Sequence, residues 1–172
     1  MAVGSKLPSP IPGNVYRAVE HHLWHRAAVL RRALLDLSDA ESDAGAIRSP
    51  GAESVGGGSG GSDRVCGAAL RIAEARARVT KAQTWLSVYQ QTMDVFSGTD
   101  AGRAVRYLFE RALSQAETAR KLNCDRQTIR RYKDDFIIRA SFLAVGCGLI
   151  RMKDDGRIID NAGDGDHREP DA

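Results

Sequence analysis

The chain has 172 residues and a net charge of +3, with 42% hydrophobic and only 6% aromatic residues. This size fits one ordinary domain, or a small domain with an added helical element, and so few aromatic residues argue against the core of a large β-sandwich or barrel. Because no apolar run approaches the roughly 20 residues of a membrane helix, and MAVGSKLPSPIPG lacks the apolar core of a secretory signal, we expect a cytoplasmic protein.

The first predicted element is a flexible arm over residues 1–13, which holds three closely spaced prolines. Asn14 follows at the position of a helix N-cap. From there Tyr16, Leu23, Leu30 and Leu37 recur every seven residues, with Ala27 and Leu34 as a second seam. This spacing predicts an amphipathic helix that ends near Leu37.

A second helix is predicted over 63–97, after a long irregular connection. Residues 38–62 are rich in Ser, Asp and Gly, and we interpret this Gly-rich loop as a linker, since GGGSGG lacks the Gly-Lys-Ser/Thr of a phosphate-binding loop. Beyond it, two series recur every seven residues: Val65, Ile72, Val79, Leu86 and Met93, and Ala68, Ala75, Ala82, Tyr89 and Phe96. Five heptads favour a coiled-coil-like helical hairpin over 14–97, with helix 63–97 as a candidate homodimer interface.

The remaining chain is predicted to form a helix-turn-helix domain over 100–150 and a disordered acidic tail over 151–172. A helix from about Asp100 to Leu113 brings apolar residues onto one face, namely Val105, Leu108, Phe109 and Ala112. The predicted fold class is therefore all-α, a long N-terminal helical hairpin followed by a C-terminal helix-turn-helix domain.

The cysteines and histidines give no sign of a metal site or an active site. The chain has three cysteines, Cys66, Cys124 and Cys147. They are far apart without a Cys-x-x-Cys pair, and we expect each to be a small buried residue. His21, His22 and His25 share one helical turn, but no carboxylate or cysteine cluster accompanies them, so a solvated or interfacial role is favoured. We predict no metal, no cofactor and no enzyme activity.

The most informative segment is SQAETARKLNCDRQTIRRYKDDF, residues 114–136. It reads as two short helices joined by a turn. Ser114 and Glu117 have the spacing of a capping box, and Asp125 is a second N-cap. Asn123 tolerates the left-handed backbone that the turn requires. The other structural positions are the small residue at the helix crossing and the inward apolar residues: Ala119, Leu122, Ile129 and Tyr132.

The second helix of this segment, 126–136, has the side chains that major-groove reading needs. Arg forks to guanine O6 and N7, Gln bonds adenine N6 and N7, and the Thr methyl meets the thymine methyl. Residues 101–140 also carry ten basic against five acidic side chains, which is the electrostatic footprint of a polyanion partner. The candidate DNA-binding residues are Arg126, Gln127, Thr128, Arg130, Arg131 and Lys133.

The segment RYLFERALSQAETARKLNCDRQTIRRY resembles region four of bacterial primary sigma factors and related helix-turn-helix regulators. Together with VYRAVEHHLWH, GGGSGGSDRV and the long helix, it resembles the RinA/ArpU-type phage late-transcription regulators over roughly residues 14–150. This resemblance implies a phage or prophage protein that binds double-stranded DNA at late or packaging operons, with RNA polymerase as a further candidate partner.

Three alternatives remain open from the residues. For Arg130 and Arg131, contact with phosphate is as well supported as contact with a base edge. The chain as a whole also fits a small terminase-like DNA-packaging protein that marks viral DNA and assembles into rings. A third reading is a helical interaction module that binds no DNA, with its arginines merely solvated.

Overall fold

The computed structural model describes residues 11–47, 60–152 and 158–160. In these ranges the fold is all-α, as predicted, with one short antiparallel sheet. The helices are α1 (Gly13–Ile47), α2 (Gly60–Val95), α3 (Asp100–Phe109), α4 (Gln115–Leu122) and α5 (Arg126–Gly146), and the strands are β1 (Ile150–Met152) and β2 (Ile158–Asp160). No helix in the described ranges combines the length and hydropathy needed to cross a bilayer.

The chain divides into two compact units. Unit 1 contains Met1–Trp24 and Ser87–Ala172, and unit 2 contains His25–Leu86. The two long helices therefore each contribute residues to both units, while α3, α4 and α5 belong to unit 1 alone.

Unit 2 is an antiparallel helical hairpin, as the heptads predict. Two ion pairs join its helices: Arg76 Nη2 lies 3.1 Å from Glu41 Oε1, and Arg78 Nη1 lies 3.9 Å from Asp36 Oδ2. Arg78 follows Arg76 on α2, whereas its partner Asp36 precedes Glu41 on α1. The two helices therefore run in opposite directions. Both arginines are more than 60% exposed, while Glu41 is 49% and Asp36 27% exposed, so these ion pairs contribute little to stability.

The α2 side of the hairpin follows the predicted series. Ala68, Ala75, Val79 and Ala82 are all less than 10% exposed, and such small residues permit close approach of α1. Val65 departs from the series at 51% exposure. The buried seam of α2 therefore begins at Ala68, three residues later than expected.

The second seam predicted for α1 is wrong by one residue. Leu34 is 46% exposed and Ala27 is also exposed, whereas Ala33 is only 5% exposed. A heptad seam alternates steps of four and three, so Arg26 and Ala33 follow Leu23 and Leu30 at the inner positions. The sequence pattern favoured Leu34 because it is apolar. It missed the series of Arg26 and Ala33 because Arg26 is charged.

The helix α1 continues ten residues beyond the predicted end at Leu37, into the predicted loop 38–62. The seam explains the extension, since Ala40 and Ala44 continue it as half-buried residues and Glu41 pairs with Arg76. The Ser and Asp residues that suggested a loop alternate with these positions. Residues 48–59 of the predicted loop lie outside the described residues.

The N-terminal arm predicted over 1–13 also ends earlier than expected. Ile11 is 7% exposed, and α1 begins at Gly13. Ile11 therefore already belongs to the packed part of unit 1. Residues 1–10 lie outside the described part of the chain.

The core of unit 1 is centred on the Phe136 side chain of α5, which is fully buried. Three aromatic rings surround it, with centroids 5.6 Å away for Tyr89, 5.8 Å for Phe96 and 5.9 Å for Phe109. These distances fall in the range in which aromatic pairs are favourable. The rings come from the end of α2, the turn after it, and α3, so Phe136 connects these segments to α5.

The helix α3 packs closely against the turn that precedes it. A Cβ added at Gly102 would lie 2.3 Å from the carbonyl oxygen of Phe96, so only glycine fits there. The helix ends at Phe109 rather than near Leu113, because Ala112 adopts a left-handed conformation with φ 51°. Ala112 is exposed, contrary to its predicted place on the apolar face.

The acidic tail predicted as disordered over 151–172 contains an ordered part. β1 pairs with β2 in register Ile150–Asp160, Arg151–Ile159 and Met152–Ile158. Ile150, Ile158 and Ile159 are β-branched and favour strands, a signal that the acidic composition of the tail obscured. Residues 153–157 and 161–172 lie outside the described residues.

The expectation of buried cysteines is also wrong. Cys66 and Cys147 are exposed, and Cys124 is half-buried. Cys147 caps the end of α5, and Cys124 lies in the turn between α4 and α5. Their places are set by backbone geometry, which does not require burial of the side chain.

Replacing Phe136 with alanine is expected to lower the free energy of unfolding by about 3–5 kcal/mol, because it removes a fully enclosed ring. Phe142→Ala is the matched control on the same helix, since Phe142 is 60% exposed, and it should change stability by about 0.5 kcal/mol or less. Chemical denaturation measures both values. Similar losses in the two variants would contradict the central role of Phe136.

Candidate nucleic-acid interface

The helix α4 begins with a complete capping box at Ser114 and Glu117. The Ser114 Oγ accepts from the Glu117 amide at 3.2 Å, and the Glu117 carboxylate accepts from the Ser114 amide at 2.9 Å. The Ser114 hydroxyl also donates to the Glu117 carboxylate at 2.7 Å, and this bond, together with the one from the Ser114 amide, lowers the pKa of the Glu117 carboxyl. The start of α4 is therefore fixed by local hydrogen bonds rather than by burial.

The turn between α4 and α5 depends on Asn123, which adopts a left-handed conformation with φ 51° and ψ 47°. The next amide, on Cys124, donates to the Ala119 carbonyl at 3.0 Å, which closes the end of α4 in the manner of a Schellman motif. Asparagine tolerates this backbone better than most residues. The chain can thus reverse from α4 into α5 within three residues.

The helix α5 begins with Asp125 as its N-cap. The Asp125 Oδ1 accepts from the Thr128 amide at 2.7 Å, and Oδ2 accepts from the Thr128 hydroxyl at 2.9 Å. These bonds, with the amide first, lower the pKa of the Asp125 carboxyl. Thr128 therefore supports the cap with its one hydroxyl proton, which leaves its methyl group and the acceptor lone pairs of its hydroxyl for contact with a ligand.

The inner faces of α4 and α5 pack against each other. Ala119 is 5% exposed and Ile129 is fully buried, while Leu122 and Tyr132 are half-buried. The small Ala119 side chain lets the helices cross closely, and Ile129 fills the space between them. The structure therefore brings the predicted structural residues of the helix-turn-helix together.

The outer face of α5 presents four of the six candidate DNA-binding residues to solvent, which are Arg126, Gln127, Arg130 and Arg131. They follow directly after the capped N-terminus, where the helix dipole favours an anion. The interface therefore combines guanidinium groups and an amide on a short, exposed stretch of one rigid helix.

Lys133 does not belong to this surface. Its side chain is only 16% exposed, and its Nζ donates to Glu20 Oε1 of α1 at 2.8 Å. This ion pair anchors α1 to α5 within unit 1. The sequence indicated a basic residue near the reading face, but it gave no sign that a partner 113 residues away would occupy it.

Two further features of the interface were not predicted. Arg120 and Arg126 line an open concavity where α4 meets α5, so Arg120 is a further candidate for phosphate contact. Asp134, a half-buried residue of α5, lies 3.8 Å from Arg130 and accepts a hydrogen bond from Tyr16. The basic cluster of 101–140 is the only sequence signal for Arg120, and no local signal marks the pairing of Asp134.

Ser114→Ala is expected to lower the free energy of unfolding by about 1 kcal/mol, because it leaves the Glu117 amide without its acceptor. Ser114→Thr is the control, since threonine also serves in capping boxes. Urea denaturation distinguishes them. A Ser114→Thr variant as unstable as Ser114→Ala would contradict the role of the hydroxyl.

The lowered pKa of Asp125 predicts a loss of stability in acid. The folded state holds this carboxyl ionised more strongly than the unfolded chain, so its contribution is present above the unfolded pKa of about 3.9 and disappears as the pH falls through the folded value. Asp125→Asn keeps a capping oxygen but does not titrate. Unfolding curves between about pH 6 and pH 2 should therefore depend less on pH in Asp125→Asn than in wild type, and equal dependence would contradict the prediction.

Comparison with known proteins gives no relative for this chain. No protein-family model, curated protein or solved structure matches it. The assignment of its function therefore depends on its own residues and their geometry.

Proposed function

We propose that this protein is a sequence-specific double-stranded DNA-binding transcriptional regulator of the cytoplasm. The observation that supports it most directly is the exposed stretch Arg126, Gln127, Arg130 and Arg131, on a helix that begins at the Asp125 cap. Arginine and glutamine are the side chains that discriminate guanine and adenine in the major groove. A helix-turn-helix places the N-terminal part of its second helix against base edges.

The electrostatics of the surrounding helices support the same proposal. Arg120 and Lys121 lie in the last turn of α4, and Arg103 and Arg106 are exposed on α3. These groups suit the DNA backbone, whose phosphates position a protein without specifying sequence. The site thus offers both kinds of contact, with the potential base-reading groups concentrated on α5.

The resemblance to RinA/ArpU-type regulators narrows the proposal to a phage or prophage late-gene regulator. The hairpin of unit 2 would then bind RNA polymerase or a second copy of the chain. Its exposed apolar side chains support a role in protein contact, since Leu35 and Leu70 are each 60% exposed.

The direct test is fluorescence anisotropy with labelled duplexes taken from the genome that encodes the protein, across a salt series. Wild type is expected to bind one duplex with a Kd of about 10⁻⁸ M or lower and to weaken steeply with salt. Arg131→Ala is expected to lose about 10-fold to 100-fold in affinity for this duplex, as for a bidentate base contact. Loss of a phosphate contact instead would weaken all duplexes alike.

The matched control is Arg71→Ala, which removes an exposed arginine of α2 in unit 2. It should preserve both affinity and selectivity. Absence of binding by wild type at low salt, or equal losses in the two variants, would contradict the proposed function. Light scattering of the wild-type complex adds a further check, because a ring of many subunits would favour a DNA-packaging protein instead.

A further inference from the structure

The first turns of α1 are fastened to α5 beside the candidate interface. The Tyr16 hydroxyl donates to Asp134 Oδ1 at 2.6 Å, and Lys133 Nζ donates to Glu20 Oε1 at 2.8 Å. Lys133 Nζ also lies 5.9 Å from the centre of the Tyr16 ring, within the range of a cation–π contact. Two residues of α1 thus hold two consecutive residues of α5.

The Tyr16 hydroxyl stays protonated and so remains a hydrogen-bond donor to Asp134. Burial raises the pKa of Tyr16, and the hydrogen bond to Asp134 raises it further. The phenol therefore keeps its proton at neutral pH, and the hydrogen bond fixes one oxygen of the Asp134 carboxylate. The orientation of the other oxygen follows from this constraint.

That other oxygen faces Arg130. The Arg130 Nε lies 3.8 Å from Asp134 Oδ2, one helical turn along α5. The carboxylate lies on the Nε side of the guanidinium. Among the residues that the structure describes, neither terminal nitrogen of Arg130 has a protein acceptor, so both can meet another acceptor. An exposed pair of this kind contributes little to stability, which leaves orientation as its main effect.

We propose that Asp134, held by Tyr16, is a positioning residue that directs Arg130 to a guanine rather than to a phosphate. The proposal rests on the proposed DNA-binding function. A carboxylate beside Arg130 repels the phosphate backbone, whereas the two free terminal nitrogens match guanine O6 and N7. Through Tyr16, α1 thereby contributes to the base specificity of α5.

The test begins with wild-type protein and a library of randomised duplexes, from which bound sequences are selected. Anisotropy then compares the selected duplex with all its single base-pair substitutions, for wild type, Arg130→Ala, Tyr16→Phe and the double variant. Tyr16→Phe removes only the hydroxyl. Arg130→Ala is expected to lose discrimination between the selected base and its substitutions at one base pair. Tyr16→Phe should reduce discrimination at the same base pair about fivefold or more, and the double variant should show no additional loss.

Two further variants separate positioning from a general structural effect. Asp134→Asn keeps an acceptor for Tyr16 but loses the charge that faces Arg130, and should give the same loss at the same base pair. Tyr107→Phe is the matched control, a half-buried tyrosine of α3 whose ring lies 5.4 Å from the Arg111 guanidinium carbon. It should leave discrimination unchanged. Thermal unfolding monitors whether each variant is folded.

The outcomes distinguish this inference from the proposed function. If wild type enriches no sequence, both are overturned. If wild type enriches a sequence but Tyr16→Phe keeps full discrimination, or weakens binding to every duplex alike, the positioning role is wrong while the DNA-binding function stands. Additive losses from Tyr16→Phe and Arg130→Ala would also overturn the positioning role.

Discussion

The burial of Phe136 among Tyr89, Phe96 and Phe109 is the constraint on which unit 1 depends. The ring lies on α5, while its neighbours come from α2, α3 and the turn between them. Because the interior is close-packed, α5 cannot rotate about its axis without separating these rings. The face of α5 opposite Phe136 is thereby committed to solvent, and that face carries Gln127 and Arg131.

Two kinds of interaction determine the geometry of the helix-turn-helix. Apolar packing at Ile129 and Phe136 determines which way α5 faces. Local hydrogen bonds at Ser114, Asn123 and Asp125 determine where each helix begins and ends. These hydrogen bonds lie at the ends of α4 and α5. They hold the geometry of the turn without occupying the outer face of α5, which a partner would contact.

The sequence predicted what is encoded locally and missed what is encoded by distant residues. The caps, the left-handed Asn123 and the α2 heptads follow from residue type and spacing within one or two turns. The Glu20 partner of Lys133 and the Tyr16 partner of Asp134 lie more than 100 residues away, and no periodicity indicates them. The extended α1 and the sheet of β1 and β2 were missed for another reason, since averaged composition outweighed a few well-placed alanines and isoleucines.

The contact between α1 and α5 has a consequence for folding. Unit 1 is discontinuous in the chain, because its first part ends at Trp24 and its second begins at Ser87. Three apolar residues of the first part are buried in the folded protein, namely Val15, Val19 and Leu23. The residues that cover them are synthesised only after unit 2. Contacts of such long sequence separation form late and slow folding. Unit 2, whose helices are joined by contacts of shorter sequence separation than those between α1 and α5, is expected to fold first on the ribosome, and α5 can reach its final position only after the residues up to Gly146 have been made.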